Sequence, residues 1–145
     1  MTDPIKILLV EDNDDVAVLF ALAMRNEQRA RVVAHLQDGE KAVAYLSGKH
    51  CYADRGKHPY PDVTLLDLNM PCLNGFEVLE WLRTQSQRPD VIVFTSSERD
   101  SDRARCLELG ADDFLVKPLD IPGLKALISN LVMRTREKAD RTDRN

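Results

Sequence analysis

Cysteine and histidine are scarce in this 145-residue chain, with three of each. Cys51, Cys72 and Cys106 are odd in number, far apart and without a Cys-x-x-Cys pair, which argues against a disulfide framework or a zinc site. Free thiols in a reducing cytosol are the expectation. His35 falls in a strand-like run, His50 and His58 fall in a loop, and no metal role is expected of them. No apolar run approaches the roughly 18 residues of a membrane span. Met1-Thr2-Asp3-Pro4 lacks the cationic and apolar regions of a signal peptide. Positive charge is not in surplus: 20 Lys+Arg against 24 Asp+Glu give a net charge of −4. A general nucleic-acid binder needs a basic face to displace counterions, so that class is disfavoured. Gly-x-x-x-x-Gly-Lys and Gly-x-Gly-x-x-Gly loops are missing, which removes nucleotide binding by those routes. No Ser-His or Cys-His pairing is evident. What remains is 43% apolar and 30% charged residues, enough for one real core under a charged surface.

Short apolar runs alternate with helical patterns. Ile5 to Val10 is nearly continuous, as a parallel strand buried on both faces should be. Asn13 or Asp14 can cap a helix with Val16, Leu19, Phe20 and Ala23 on one face. Arg31 to Leu36 reads as the second strand, and Asp38 caps a helix carrying Ala42, Val43, Tyr45 and Leu46. Val63 to Leu66 is the third strand; the helix after Asn74-Gly75 buries Phe76, Leu79 and Leu82, with Val78 alongside. Val91 to Phe94 is the fourth strand. Ser97-Glu98-Arg99-Asp100 reads as a capping box, and Gly110 ends that helix. Phe114 to Val116 is the fifth strand, and Asp120 caps a last helix with Leu124, Leu127, Ile128, Leu131 and Val132 at helical spacing. Five such β-α units imply a parallel sheet covered by helices on both faces. Right-handed crossovers then point to a flavodoxin-like doubly wound sheet of order 2-1-3-4-5 with five helices.

In such a sheet the ligand crevice lies beyond the carboxyl ends of the strands where strand order reverses, here between the first and third strands. The first strand ends in Glu11-Asp12 and the third in Asp67, so three carboxylates converge. The fourth ends in Thr95-Ser96-Ser97 and the fifth in Lys117-Pro118, which bring hydroxyls and a cation. Two carboxylates about 4 Å apart at an effective dielectric near 20 repel by roughly 4 kcal/mol. Such a triad calls for positive charge: one from Lys117, the rest from a divalent ion. Oxygen ligands with room for water and a phosphate make Mg²⁺ the natural choice. The chemistry left to this set is phosphoryl transfer to a carboxylate, which is ionised at neutral pH and needs no general base.

The chain resembles the receiver domains of two-component response regulators. Leu8-Leu9-Val10-Glu11-Asp12-Asn13, Leu65-Leu66-Asp67-Leu68-Asn69-Met70-Pro71 with Asn74-Gly75, Phe94-Thr95-Ser96-Ser97, Gly110-Ala111-Asp112-Asp113-Phe114 and Val116-Lys117-Pro118 match five motif blocks in order, over about residues 4 to 133. The resemblance implies that Asp67 is the phosphoacceptor. It implies that Asp12 and Asp67 ligate Mg²⁺ directly, Glu11 through water and Asn69 through its backbone carbonyl. Thr95 would hydrogen-bond the phosphoryl group and Lys117 would pair with its charge, held by a cis Lys117-Pro118 bond. Phe114 sits at the switch aromatic position and would turn inward when Thr95 moves. Ser96 is small, as access requires; Asn69 and Ser97 stand where the family tunes phosphoryl lifetime. Cys72 puts a thiol near the site and is expected to pack.

The resemblance gives a receiver domain over residues 1–133 and a charged tail over 134–145, either a helix end or disordered. In that tail Arg134, Arg136, Lys138, Arg141 and Arg144 oppose Glu137, Asp140 and Asp143, a solvated stretch expected to fray. The connection from Ser47 to Pro61 is long for its kind and rich in Tyr and His; it reads as a tolerated insertion or as a partner-contact loop. That loop, the Leu-Leu-Asp-Leu-Asn phrase and the lack of an output domain resemble the stand-alone regulators paired with phytochrome-type sensor kinases. Members of that subgroup form homodimers through the fourth helix, fifth strand and fifth helix. The expected function is thus a cytoplasmic signalling switch, not an enzyme beyond its own phosphorylation and dephosphorylation. A sensor histidine kinase would supply the phosphoryl group, with no membrane or nucleic-acid partner. A phosphorylation-independent adaptor is the alternative. An aspartate-nucleophile phosphatase is disfavoured, because it needs a second Asp as general acid where Asn69 stands.

Overall fold

The computed structural model describes residues 3–143; Met1 and Thr2 of the N-terminal reading, and Arg144 and Asn145 of the tail, lie outside the described residues. The strands are β1 (Ile5–Val10), β2 (Ala30–Leu36), β3 (Val63–Leu66), β4 (Asp90–Thr95) and β5 (Asp113–Val116). They alternate with α1 (Asp14–Ala23), α2 (Gly39–Ser47), α3 (Gly75–Arg83), α4 (Asp100–Glu108) and α5 (Ile121–Asp143). All strand pairs are parallel and the order is β2-β1-β3-β4-β5, the flavodoxin-like arrangement read from the sequence.

Side chains alternate across the sheet and build two cores. Ile7, Leu9, Leu65, Ile92 and Phe94 face Phe20 of α1 and Leu124, Ile128 and Leu131 of α5. Leu8, Val10, Leu66, Val91 and Val93 face Tyr45 of α2, Val78, Leu79 and Leu82 of α3, Cys106 of α4 and Phe114. Each fully buried Leu, Ile or Phe stabilises the fold by about 2 kcal/mol relative to exposure. Phe76 departs from its reading. It is half-buried, with the Arg105 guanidinium 4.1 Å over its ring, and Val78 takes the fully buried place.

Caps set the helix starts. Asn13 Oδ1 accepts from the Asp15 and Val16 N–H groups, and Asp38 accepts from Lys41 N–H. Asn74 and Glu77 form a full capping box that the sequence reading did not include. The box read over Ser97–Asp100 is not formed: α4 starts at Asp100 with Arg99 at its N-cap and no side-chain cap. Aspartate at the third position is one methylene shorter than the glutamate such a box uses. Ser97 Oγ instead donates to Asp102 Oδ2 at 2.6 Å.

The long connection is packed. After Gly48 (φ +68°) closes α2, a 3₁₀ turn spans His50–Tyr52. Arg55 then donates to the carbonyls of Tyr45 (2.8 Å), Leu46 (3.0 Å) and His58 (3.3 Å), satisfying the end of α2 from outside the helix. Tyr45 Oη donates to Pro59 O at 2.8 Å, and the rings of Tyr45, Tyr52 and His58 meet edge-on or tilted. α5 continues to Asp143, so residues 134–143 of the charged stretch are helical. Arg134 bonds Asp113 Oδ2 at 2.7 Å and Lys138 pairs with Asp90, so the first turns of the tail are tied to the starts of β5 and β4. No helix among the described residues is long and apolar enough to cross a membrane.

Candidate functional site

The sheet register delivers the acids. Val10 pairs with Leu66, so β1 and β3 end side by side and Glu11-Asp12 and Asp67 leave at one level. Asp67 N–H donates to Val10 O (3.1 Å), and Glu11 N–H donates to Leu36 O (2.9 Å), tying the exit of β1 on both sides. Carboxylate oxygens of Glu11, Asp12 and Asp67 lie within 4.8 Å of one another. Glu11 is fully buried, Asp67 is 4% exposed and Asp12 lies exposed at the rim. At such separations each pair repels by about 3 kcal/mol at an effective dielectric near 20.

One cation answers them. Lys117 Nζ lies 2.7 Å from Glu11 Oε2 and 3.2 Å from Asp67 Oδ2, and 5.8 Å from the Phe94 ring centre. Its backbone is fixed by Lys117 N–H donating to Thr95 O at 2.8 Å. The Lys117–Pro118 bond is trans, as is every peptide bond among the described residues, so the cis form implied by the resemblance is not present. Lys117 reaches both acids from the trans chain.

The balance is incomplete. Burial pushes the Glu11 carboxyl above its ordinary value, Lys117 pulls it down, and Asp67 pushes it up again. Glu11 Oε2 is buried, and the Lys117 ammonium at 2.7 Å is its ion-pair partner. The three carboxylates outnumber the one ammonium beside them and form an all-oxygen donor set, which fits a hard divalent cation.

Asp67 itself is held. Its Oδ1 accepts from Leu68 N–H at 2.8 Å, while Oδ2 faces Lys117. A Cβ on Gly75 would lie 2.4 Å from Asp67 O and 2.8 Å from Leu68 Cα, so only glycine lets the start of α3 close on this backbone. Thr95 is fully buried at the end of β4, and its Oγ1 accepts from Ser97 N–H at 3.3 Å. Asn69 is exposed and lines a cavity of about 370 Å³ with Phe76, Ser96, Ser97 and Arg99. Phe114 is already inward, 4% exposed, among Val91, Val93 and Cys106, so this structure has no outward ring for Thr95 to release. Cys72 does not pack: it is exposed with φ +67°, because the turn after Pro71 needs the left-handed conformation there. All three cysteines are free thiols.

The structure therefore brings Glu11, Asp12, Asp67 and Lys117 together, sets Thr95 beside Lys117 through the β4–β5 ladder, and buries Phe114 in the core away from the acids. Sequence reasoning missed His35, whose Nε2 lies 2.7 Å from Glu11 O. Its only signal was a polar ring at the end of an apolar strand.

The response regulator receiver domain family matches residues 7–129. The transcriptional regulatory protein PcoR of Escherichia coli is 31% identical over 134 residues, covering 92% of this chain and 54% of PcoR. The chain thus spans about half the length of the curated relatives it matches. The phosphorylated cyanobacterial phytochrome response regulator RcpA is similar with a TM-score of 0.77 and 30% identity, over 88% of this chain and 91% of that one. The Mn²⁺-bound form of response regulator Rcp1 is similar with a TM-score of 0.75 and 29% identity, over 88% and 91% of the two chains.

Proposed function

This chain belongs to the response regulator receiver family, and from that premise we propose that it takes a phosphoryl group onto Asp67 from the phosphohistidine of a sensor histidine kinase in a Mg²⁺-dependent reaction. The observation that carries this reading is the single Lys117 ammonium shared by two buried carboxylates, with a third acid at the rim. An isolated structural ion pair would match one acid to one base; this cluster has charge left over for a cation and an incoming phosphoryl group.

In the proposed transfer an Asp67 oxygen forms the new P–O bond as the P–N bond to imidazole breaks, and the electron pair of that bond returns to the nitrogen. Leu68 N–H restrains carboxylate rotation, which keeps the nucleophile oriented. Lys117 pairs with the phosphoryl charge, and Thr95 rotates its hydroxyl from Ser97 N–H toward a phosphoryl oxygen. Asp12, Asp67 and the Asn69 carbonyl would hold Mg²⁺ directly and Glu11 through water, and the ion would supply positive charge to offset the acids and the incoming phosphoryl group. Asn69 and Ser97 set the lifetime of the acyl phosphate from the neighbouring cavity.

The kinase is proposed to be of the phytochrome type, in keeping with the likeness to RcpA. The receiver works in the cytoplasm as a switch that signals by protein contact, with homodimerisation through α4, β5 and α5. Residues 1–133 form the receiver unit, and the helical tail extends it. Incubation with acetyl phosphate and Mg²⁺ tests the reading: the wild type gains one phosphoryl group that alkali and hydroxylamine remove, and Asp67→Asn gains none. Labelling of Asp67→Asn at the wild-type level would overturn it, and partner binding unchanged by Asp67→Ala would favour the adaptor.

A further inference from the structure

The end of β1 poses a hydrogen-bonding problem. Glu11 N–H pairs with Leu36 O, so the parallel ladder would next offer the Asp38 N–H to the Glu11 carbonyl. Yet β2 stops at Leu36, and Asp38 has already turned to cap α2. The Glu11 carbonyl belongs to the peptide that joins Glu11 to Asp12, two of the three clustered acids. A rotation of that peptide plane would swing the Asp12 carboxylate relative to the other two.

His35 supplies the donor. Its Nε2 lies 2.7 Å from Glu11 O, and only an N–H on that nitrogen can bond a carbonyl. The side chain is brought there by an irregularity: the β1–β2 register slips between Ile7 and Leu8, where Val32 and then Ala34 are the partners and Val33 is left over. Such a bulge re-aims the residues that follow it. His35 itself is exposed on the edge strand, so it contributes little to the core.

We propose that His35 is a positioning residue for the acidic centre: its ring N–H holds the Glu11–Asp12 peptide plane and so fixes the spacing of the three carboxylates for a divalent cation. This inference rests on the reading of the centre as a cation-dependent phosphoacceptor site.

The test is Mn²⁺ and Mg²⁺ binding to the full chain by titration calorimetry, with melting of the ion-free proteins alongside. His35→Ala is expected to weaken both ions three- to tenfold. His35→Gln, whose amide can donate to the same carbonyl, recovers at least half of that loss. Arg31→Ala, on the same exposed edge and without contact to the acids, binds as the wild type. The ion-free melting temperatures of His35→Ala and His35→Gln should agree, which separates positioning from general stability. Equal ion affinity in His35→Ala and the wild type would overturn the proposal, as would a Gln variant no better than Ala. Failure of the wild type to bind either ion would overturn both this inference and the phosphoacceptor reading. Normal wild-type binding with an unaffected His35→Ala would sink this inference alone.

Discussion

The carboxyl end of the sheet and the 48–60 loop are the two polar regions of this molecule that stand out, and they are balanced in opposite ways. In the loop, the Arg55 guanidinium places hydrogen bonds on three backbone carbonyls and lies within 5.7 Å of the Tyr45 ring centre and 5.5 Å of that of Tyr60. Its polar groups answer one another. At the sheet end, three clustered acids share one lysine, which pairs with the two buried ones. A region that satisfies itself is built to hold shape; one that leaves charge uncompensated is built to receive something. The longer and more unusual sequence is thus the region that satisfies its own polar groups, and the short ordinary motifs carry the uncompensated charge.

Breaking the charged end should have the largest effect. Lys117→Met leaves Glu11 and Asp67 buried without their cation and should destabilise the ion-free protein by about 3 kcal/mol; urea unfolding checks this, and Mg²⁺ should recover part of the loss. Gly75→Ala forces the start of α3 away from Asp67 and should cost about 2–3 kcal/mol with weaker cation binding, read by the same melts and by calorimetry. Arg55→Ala should cost about 2 kcal/mol through lost charge-assisted hydrogen bonds. Phosphoryl uptake from acetyl phosphate should stay unchanged in that variant, since Arg55 bonds the end of α2 and not the acids; a tenfold fall in uptake would break the comparison. The smallest effect concerns pH. Burial pushes the Cys106 thiol up to about 11 from 9.0. A raised folded pKa means that this stability is complete below pH 9 and is lost as pH climbs toward 11. The loss should be about 1.4 kcal/mol at pH 10, with a shallower slope in Cys106→Ala.

The strands were legible because β1, β3 and β4 are buried on both faces and so read as unbroken apolar runs. Glu11, Asp12, Asp67 and Lys117 were legible because a parallel sheet exports strand-end residues to a single rim. What escaped depended on three-dimensional encounters between distant segments. Arg55 reaching back to Leu46 and His35 reaching Glu11 through a bulge leave no periodic trace. The failed box at Ser97 shows that an N-cap motif can be outcompeted when its serine finds Asp102. The inward Phe114 and the exposed Cys72 were settled by packing and turn geometry, which local pattern does not report.

The sheet also works as a partition. Phe114 shares its compartment with α2, α3 and α4, while α1 and α5 line the other. A mechanical disturbance that starts at the Phe114 ring is thus separated from the second chamber by the hydrogen-bonded backbone of the sheet.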